Sequence, residues 1–410
     1  MLAGRSRPAL AVVDQAILSG TSVITSVTVG RLAGETELGL YAIGLSIVLL
    51  VSAVQDSLIC VPYIFFRERG ERERAYAGSI LIHHAMLAAV SVLGMGVAAA
   101  FFALRPESSV PVTLTAAVAV AVPGMLVHEL ARQMTFAHHR VEAALVVDAA
   151  AAFLQMGGLA ALALWDQLSA PGALAVVGAA RGAAGFTRLA LSRRTFVFRS
   201  ADWRGTLARH WRFARLDLSA QVVGTIEGYA SHWILTVIRG AGATGALAAS
   251  MTIATATNPL LLGLHHVFVP RIADAHENGG PREVWRVVRR TTTIYMRFLS
   301  VFSLALIVFG GTIVRLVYGP EFAGNGEVVA ILSVLALASA VELTAANGLR
   351  ALRRPQAYLL ANGVGLAVVA LAAPILCTLW GVAGAAAAML AGVVIETAIE
   401  WQWLRRLSGR

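Results

Sequence analysis

Arg132 and Arg181 lie inside long apolar stretches, where an unpaired charge is expensive and therefore informative. His84 and His128 stand toward the ends of neighbouring apolar stretches, as do His83, His265 and His266. If those stretches converge, Arg181, Arg132, His84, His128 and His265 make a cationic vestibule suited to a phosphate group. The plainer alternative for each histidine is a helix-end side chain reaching for the interface. A second constellation runs along one helix: Asp217, Gln221, Gly224, Gly228 and His232 recur at helical spacing, with Glu227 beside them. Gln15, Ser19, Ser22 and Ser26 form a similar stripe near the start of the chain. Ser22, Asp217, Gln221 and His232 are thus candidates for a polar face lining a cavity or joining two lobes; close packing through small residues is the alternative. Asp56, Glu227 and Glu342 are candidates for carrying a coupling proton or sodium ion. Glu129, Asp148 and Glu396 also lie at depth, and Glu129 is spaced to neutralise Arg132 one turn away.

The elements that must hold these groups are membrane helices. The chain has 410 residues, is 58% hydrophobic and 14% charged, and has a mean hydropathy of +0.72. A soluble domain rarely reaches that apolar fraction. A span needs roughly 20 apolar residues, and about twelve such segments can be counted. They fall near 13–33, 38–62, 77–104, 110–136, 141–164, 171–191, 216–238, 243–268, 293–317, 327–350, 356–379 and 381–403. Asp14, Gln15 and Ser19 interrupt the first segment, so it is not expected to be a cleaved signal.

All 33 basic residues are arginine, and they concentrate in alternate loops. One set of loops holds Arg67 to Arg74, Arg140, Arg193 to Arg212, Arg271 to Arg290, Arg353, Arg354 and the carboxyl end. The opposite loops are short and acidic or neutral, carrying Glu35, Glu37, Glu107, Asp166, Glu321 and Glu327. This alternation predicts both termini in the cytoplasm and explains the net charge of +10 without nucleic acid. The polar stretches 192–215 and 271–292 are expected to be cytoplasmic loops. The first could include a surface helix carrying Trp203, Trp211 and Phe213, or be a solvated tether.

The chain also repeats itself. Asp14 to Arg74 is echoed by Asp217 to Arg290: Gly39, Ala42, Ser46 and Ile47 fall on Gly245, Ala248, Thr252 and Ile253. Arg31-Leu-Ala-Gly is set against Arg239-Gly-Ala-Gly. Duplication in a membrane chain points to two lobes moving about a site between them. The expected fold is all-α, about twelve spans in two pseudo-symmetric six-helix lobes. The boundaries are 1–192 for the first lobe, 193–215 for a linker and 216–410 for the second. Pro123, Pro259 and Pro374 are expected inside spans four, eight and eleven.

Several chemistries are disfavoured. There is no GxxxxGK[ST] phosphate loop, no HExxH and no GxSxG. Cys60 and Cys377 sit singly in apolar runs, and the adjacent pairs His138-His139 and His265-His266 diverge on a helix, so no metal site is expected. The outer loops are too short for a catalytic platform, which favours transport over an enzyme.

The opening DQAILSGTSVITSVTVGRLAGETELGLYAIG resembles the first hairpin of bacterial polysaccharide (Wzx-like) flippases in the multidrug/oligosaccharidyl-lipid/polysaccharide (MOP) exporter superfamily. VYGPEFAGNGEVVAIL before the tenth span and NGLRALRRP before the eleventh are similar to the same family. The resemblance implies two six-helix lobes around a central cavity, in a bacterial inner membrane. It implies movement of a polyprenyl-pyrophosphate-linked oligosaccharide by alternating access. No cofactor is implied beyond a coupling H+ or Na+; the partners are the lipid-linked glycan, membrane lipids and other envelope-polysaccharide synthesis proteins. The alternative within the superfamily is a cation-coupled drug or metabolite antiporter. Outside it stand a polyprenyl-lipid glycosyltransferase or polymerase and a non-transporting scaffold.

Overall fold

The computed structural model describes residues 6–66, 71–104, 111–138, 140–198, 201–256 and 258–409. The side chains of 6–9, 11, 12, 71, 258–267, 269, 270, 273 and 355 lie outside that description. The described chain is helical throughout and contains no strand. Among the described residues, eight helices are long and apolar enough to cross a membrane. Large apolar side chains such as Phe153, Val301 and Leu371 point outward along them. This is a multi-pass membrane protein.

Helix α1 (Ser6–Gln55) covers the first two predicted spans, which meet at a break on Gly34 with φ of 90°. It continues through a π-helical turn, Asp56–Cys60, into α2 (Val61–Phe66). Then come α3 (Glu71–Ala103), α4 (Val112–Ala137), α5 (Val141–Leu164) and α6 (Ala170–Leu191). The second half comprises α7 (Trp203–Arg239), α8 (Ala241–Ala254), α9 (Asn258–Tyr318), α10 (Gly326–Ala351) and α11 (Pro355–Leu407). Helix α9 breaks at Gly280 and α11 at Gly381. The last break separates the eleventh and twelfth predicted spans.

Three expectations change. The segment 243–268 is two helices, because α8 ends at Ala254 and α9 begins at Asn258. Pro259 therefore opens a helix, where its missing N–H costs nothing, instead of kinking one. The polar stretch 271–292 is helical, interrupted only at Gly280. In the other polar stretch, 203–215 is the first part of α7.

The chain divides into two compact units. One comprises Met1–Ala33 with Leu40–Val222, the other Gly34–Gly39 with Val223–Arg410. The first is built on α4, which packs closely on α6. A Cβ at Gly178 would strike the Ala121 backbone, and one at Gly124 the Gly178 carbonyl. Small residues let the two backbones approach, the usual source of helix association where lipid removes the hydrophobic driving force. Leu114, Val118, Leu126, Leu130 and Leu174 fill the core around that seam. In the second unit α10 packs on α9 and α11, and Leu235, Leu247, Leu332, Val369 and Met389 belong to one buried cluster.

Candidate functional site: buried ionic clusters in each unit

In the first unit Arg132, on α4, is ringed by carboxylates. Its Nε donates to Asp148 Oδ2 at 3.0 Å, and its Nη1 to Glu129 at 3.3 Å. Its Nη2 donates to Asp14 Oδ2 at 3.4 Å, and the guanidinium lies 5.1 Å from the Phe136 ring centroid. His128, one turn earlier on α4, makes an ion-pair contact of 3.0 Å with the other oxygen of Asp148. Asp148 is fully buried and Asp14 nearly so. Three carboxylates thus share one guanidinium and one imidazole. Asp56, at the start of the π-helical turn, lies within electrostatic range of Glu129, Asp217 and Arg132. Local widenings of this kind are common where a helix carries function. Even with His128 protonated, the acids of this cluster outnumber the bases. A buried excess of that sign must be met by a proton or a cation.

Arg132 and His128 are therefore held against acids, not presented as free cations. Arg181 differs. This α6 residue is partly exposed and makes no ion pair among the described residues, although Tyr41, Glu129 and Asp148 lie within electrostatic range. His84 faces the core, with Nδ1 3.4 Å from Gln55 Oε1, and Gln55 in turn donates to the Leu126 carbonyl. His83 contacts the Trp203 carbonyl at 2.8 Å. The His265 side chain lies outside the described residues. Ser22 is exposed, whereas its neighbour Thr25 is buried and accepts a 2.7 Å hydrogen bond from Gln155.

The polar stripe of α7 splits. Asp217 is exposed and Gln221 partly so, both in the first unit. His232, in the second unit, is buried beside the Tyr229 ring at 5.5 Å between centroids. Its carbonyl accepts from the Thr236 and Thr244 hydroxyls, which fixes α7 on α8.

The second unit holds the denser cluster. The carboxylates of Glu342 (α10), Glu396 and Glu400 (both α11) each offer an oxygen within 4.8 Å of the others. Glu227, from α7, interacts directly with Glu396 and electrostatically with Glu342. Glu400 is fully buried, and neither of its oxygens has a hydrogen-bond partner. With its amide oriented to satisfy both ends, Asn362 donates to Glu396 Oε1 and to the Tyr358 carbonyl. Arg350, stacked 4.6 Å over the Tyr358 ring, is in electrostatic range of Glu342 and Glu400. Glu342 also lines a cavity of about 360 Å³ together with Met251, Leu335 and Ser339. That cavity sits where α8 ends, and Glu342 is the member of the cluster that lines it. The three grouped glutamates could bridge one hard cation through oxygen ligands or share protons.

Of the candidate residues, the structure brings together Glu227 and Glu342 in one cluster, and Arg132 and His128 in the other, with Asp56 nearby. Among the described residues no hydrogen bond or ion pair joins Ser22, His84 or His232 to the acids of either cluster. Asp14, Asn362 and Glu400 were not among the candidates. Asp14 starts the repeated segment. Glu400 lies i+4 from Glu396 on α11, a spacing that could have signalled a shared face.

Solved structures share this fold. An inward-facing multidrug resistance MATE family transporter of the MOP superfamily superposes with a TM-score of 0.77 at 11% identity, covering 96% of this chain and 94% of that one. The lipid II flippase MurJ, in an inward closed conformation, gives 0.76 at 12% identity over 97% and 87%. A Pyrococcus furiosus MOP superfamily transporter, described as having a binding pocket of reverse polarity that suggests a different function, gives 0.71 at 12% identity over 98% and 94%. No family model matches the chain, and no curated protein matches it by sequence.

Proposed function

We propose that this protein is a MOP-type flippase that moves a polyprenyl-pyrophosphate-linked oligosaccharide across a bacterial inner membrane, driven by a coupling proton or sodium ion. The observation that carries the substrate class is Arg181: an arginine inside an apolar helix, without an ion-pair partner among the described residues. Such a group calls for an anion or a wet cavity. A pyrophosphate supplies the anion. MurJ, with the same fold, is a lipid II flippase.

The coupling role falls to the buried acids. Glu227, Glu342, Glu396 and Glu400 cannot all be charged so close together around one arginine, so they must gain or lose a cation as their surroundings change. Asp14, Asp56 and Asp148 offer the same chemistry in the first unit. The coupling ion is cargo here, held by oxygens the chain already groups.

A second reading is favoured by the same acids: an antiporter exchanging an organic cation for H+ or Na+. Binding separates the two. A short-chain polyprenyl-pyrophosphate saccharide should stabilise the purified protein against heat, and Arg181→Ala should abolish that protection. Protection by lipophilic cations instead, unaffected by Arg181→Ala, would favour the antiporter.

A further inference from the structure

The arginine-rich end of the first unit contains a cavity that neither ionic cluster uses. Its volume is about 580 Å³. Four arginines line it: Arg74 from α3, Arg140 at the start of α5, Arg188 in the last turn of α6, and Arg194 in the following 3-10 turn, Arg193–Thr195. Below them Met134 and Leu189, both buried, make an apolar floor. The one carboxylate among the described lining residues, Glu73, is 3.1 Å from His138 Nε2.

The wall of this cavity is held in place. Arg74 donates through Nε and Nη2 to the Arg194 carbonyl, while the Val197 N–H donates to the Arg74 carbonyl at 3.0 Å. A side chain at Gly78 would strike the Val197 carbonyl, so the loop sits directly on α3. Arg74 thus spends its donors on structure. Arg140, Arg188 and Arg194 form no ion pair among the described residues; Arg188 Nη1 donates to the Ser192 hydroxyl, while its Nε is buried with no hydrogen-bond partner. Arg140 is near enough to repel Arg188. Arg140 and Arg194 are exposed and Arg188 partly buried, so this arginine-lined, partly apolar cavity has no paired acid on those three among the described residues. An anionic headgroup attached to an alkyl chain supplies both parts.

We propose that this cavity binds an anionic phospholipid of the leaflet at the arginine-rich face, with its phosphate between Arg140, Arg188 and Arg194 and the start of its acyl chains over Met134 and Leu189. Charge sets the headgroup, and the apolar floor sets lipid over free phosphate. Basic pockets among helix ends are the usual way membrane proteins hold such lipids.

The test is titration of the purified full chain in neutral detergent with phosphatidylglycerol, phosphatidylcholine or inorganic phosphate, read by retained lipid in native mass spectrometry and by melting temperature. Phosphatidylglycerol is expected to be retained and to raise the melting temperature, phosphatidylcholine to do neither, and phosphate to protect weakly. Arg140→Gln with Arg188→Gln should weaken phosphatidylglycerol binding by about tenfold or more. Arg405→Gln with Arg406→Gln, which removes equal charge from an exposed helix end, should leave it within about twofold. If the pocket pair lowers the lipid-free melting temperature, Arg194→Gln, whose side chain makes no described hydrogen bond, takes its place. Equal loss in both pairs, equal retention of phosphatidylcholine, or full protection by phosphate alone would each overturn the proposal.

Discussion

Gly39 and Gly245 meet backbone to backbone, and each occupies in its own repeat the place the other occupies in its repeat. A Cβ at Gly39 would run into the Ala241 carbonyl and lie 2.9 Å from Gly245 N. One at Gly245 would run into the Glu35 carbonyl and lie 3.0 Å from Gly39 N. Glu35 and Ala241 are themselves equivalent, since they follow Gly34 and Gly240. Those two glycines carry nearly the same conformation, φ 90° with ψ 177° and φ 87° with ψ 173°. Only glycine adopts it without strain. The register of the repeat is therefore set by Gly34 on Gly240, and the apparent match of Arg31 with Arg239 is displaced by two residues.

Gly39→Ala and Gly245→Ala should each lower stability by about 1–3 kcal/mol, because the obstructing atoms are backbone and cannot rotate away. Gly34→Ala should cost a similar amount through its positive φ, about 1–3 kcal/mol. Gly20→Ala and Gly228→Ala, where nothing lies within 4 Å of a new Cβ, are the neutral controls. Thermal melting in detergent compares the five directly.

Arg132 is the counter-charge for Asp14, Glu129 and Asp148. Arg132→Met should destabilise the protein by about 3–5 kcal/mol, since it leaves buried acids without their partner. Asp14→Asn should cost less, because it removes one of the surplus negative charges. The order of the two, measured by unfolding in denaturing detergent, checks that the cluster is short of positive charge. Equal losses would point to packing alone.

The polar region before the second unit is legible only in part. Its arginines and aromatics suggest a surface helix or a tether, but His210 shows that the helix is docked on the first unit. Tyr76 OH lies 2.8 Å from His210 Nε2, and His210 Nδ1 donates to the Leu58 carbonyl at 2.9 Å. Phe213 packs on Phe65 and Phe66, and Arg209 stacks over Phe66 and Tyr76. Burial, with Arg209 and His83 nearby, pushes the His210 imidazole down from 6.5 to about 4. The unfolded chain takes up this proton near pH 6.5, and the folded chain only near pH 4. Stability from this group is thus complete above pH 6.5 and falls as pH drops toward 4. His210→Asn should be less stable at pH 7.5 but should show a flatter melting-temperature profile across that window. An unchanged slope would remove His210 from the account.

Hydropathy located the apolar parts of the helices, because a span must be apolar along its whole length, but not the polar helical stretches 203–215 and 271–292. It could not see the break between Ala254 and Asn258, since a broken helix and a continuous one have the same composition. The sites show the same division. Glu227 and Glu342 stood out as charges at depth, yet Glu400 did not, because it lies close to Arg405 and Arg406 and reads as a helix end. Its meeting with Glu342 is set by how α10 packs on α11. Arg132 and His128 read as cations for the same reason: Asp14 and Asp148 reach them from other helices.

If the acids of the second unit bind the coupling ion, Glu342→Gln or Glu400→Gln should remove the dependence of transport on an imposed proton or sodium gradient. Substrate-induced thermal stabilisation should persist in both. A variant that keeps its gradient dependence would leave those glutamates a structural role only.

The most direct measurement is transfer of a fluorescent polyprenyl-pyrophosphate saccharide between leaflets of proteoliposomes, for wild type, Arg181→Ala and Arg405→Ala. Protein-dependent transfer that falls by about tenfold or more in Arg181→Ala and is retained in Arg405→Ala is the expected result, the lost contact being a charge-assisted one. Absence of transfer by the wild type, in vesicles where an organic cation exchanges against protons or sodium, would contradict the flippase account.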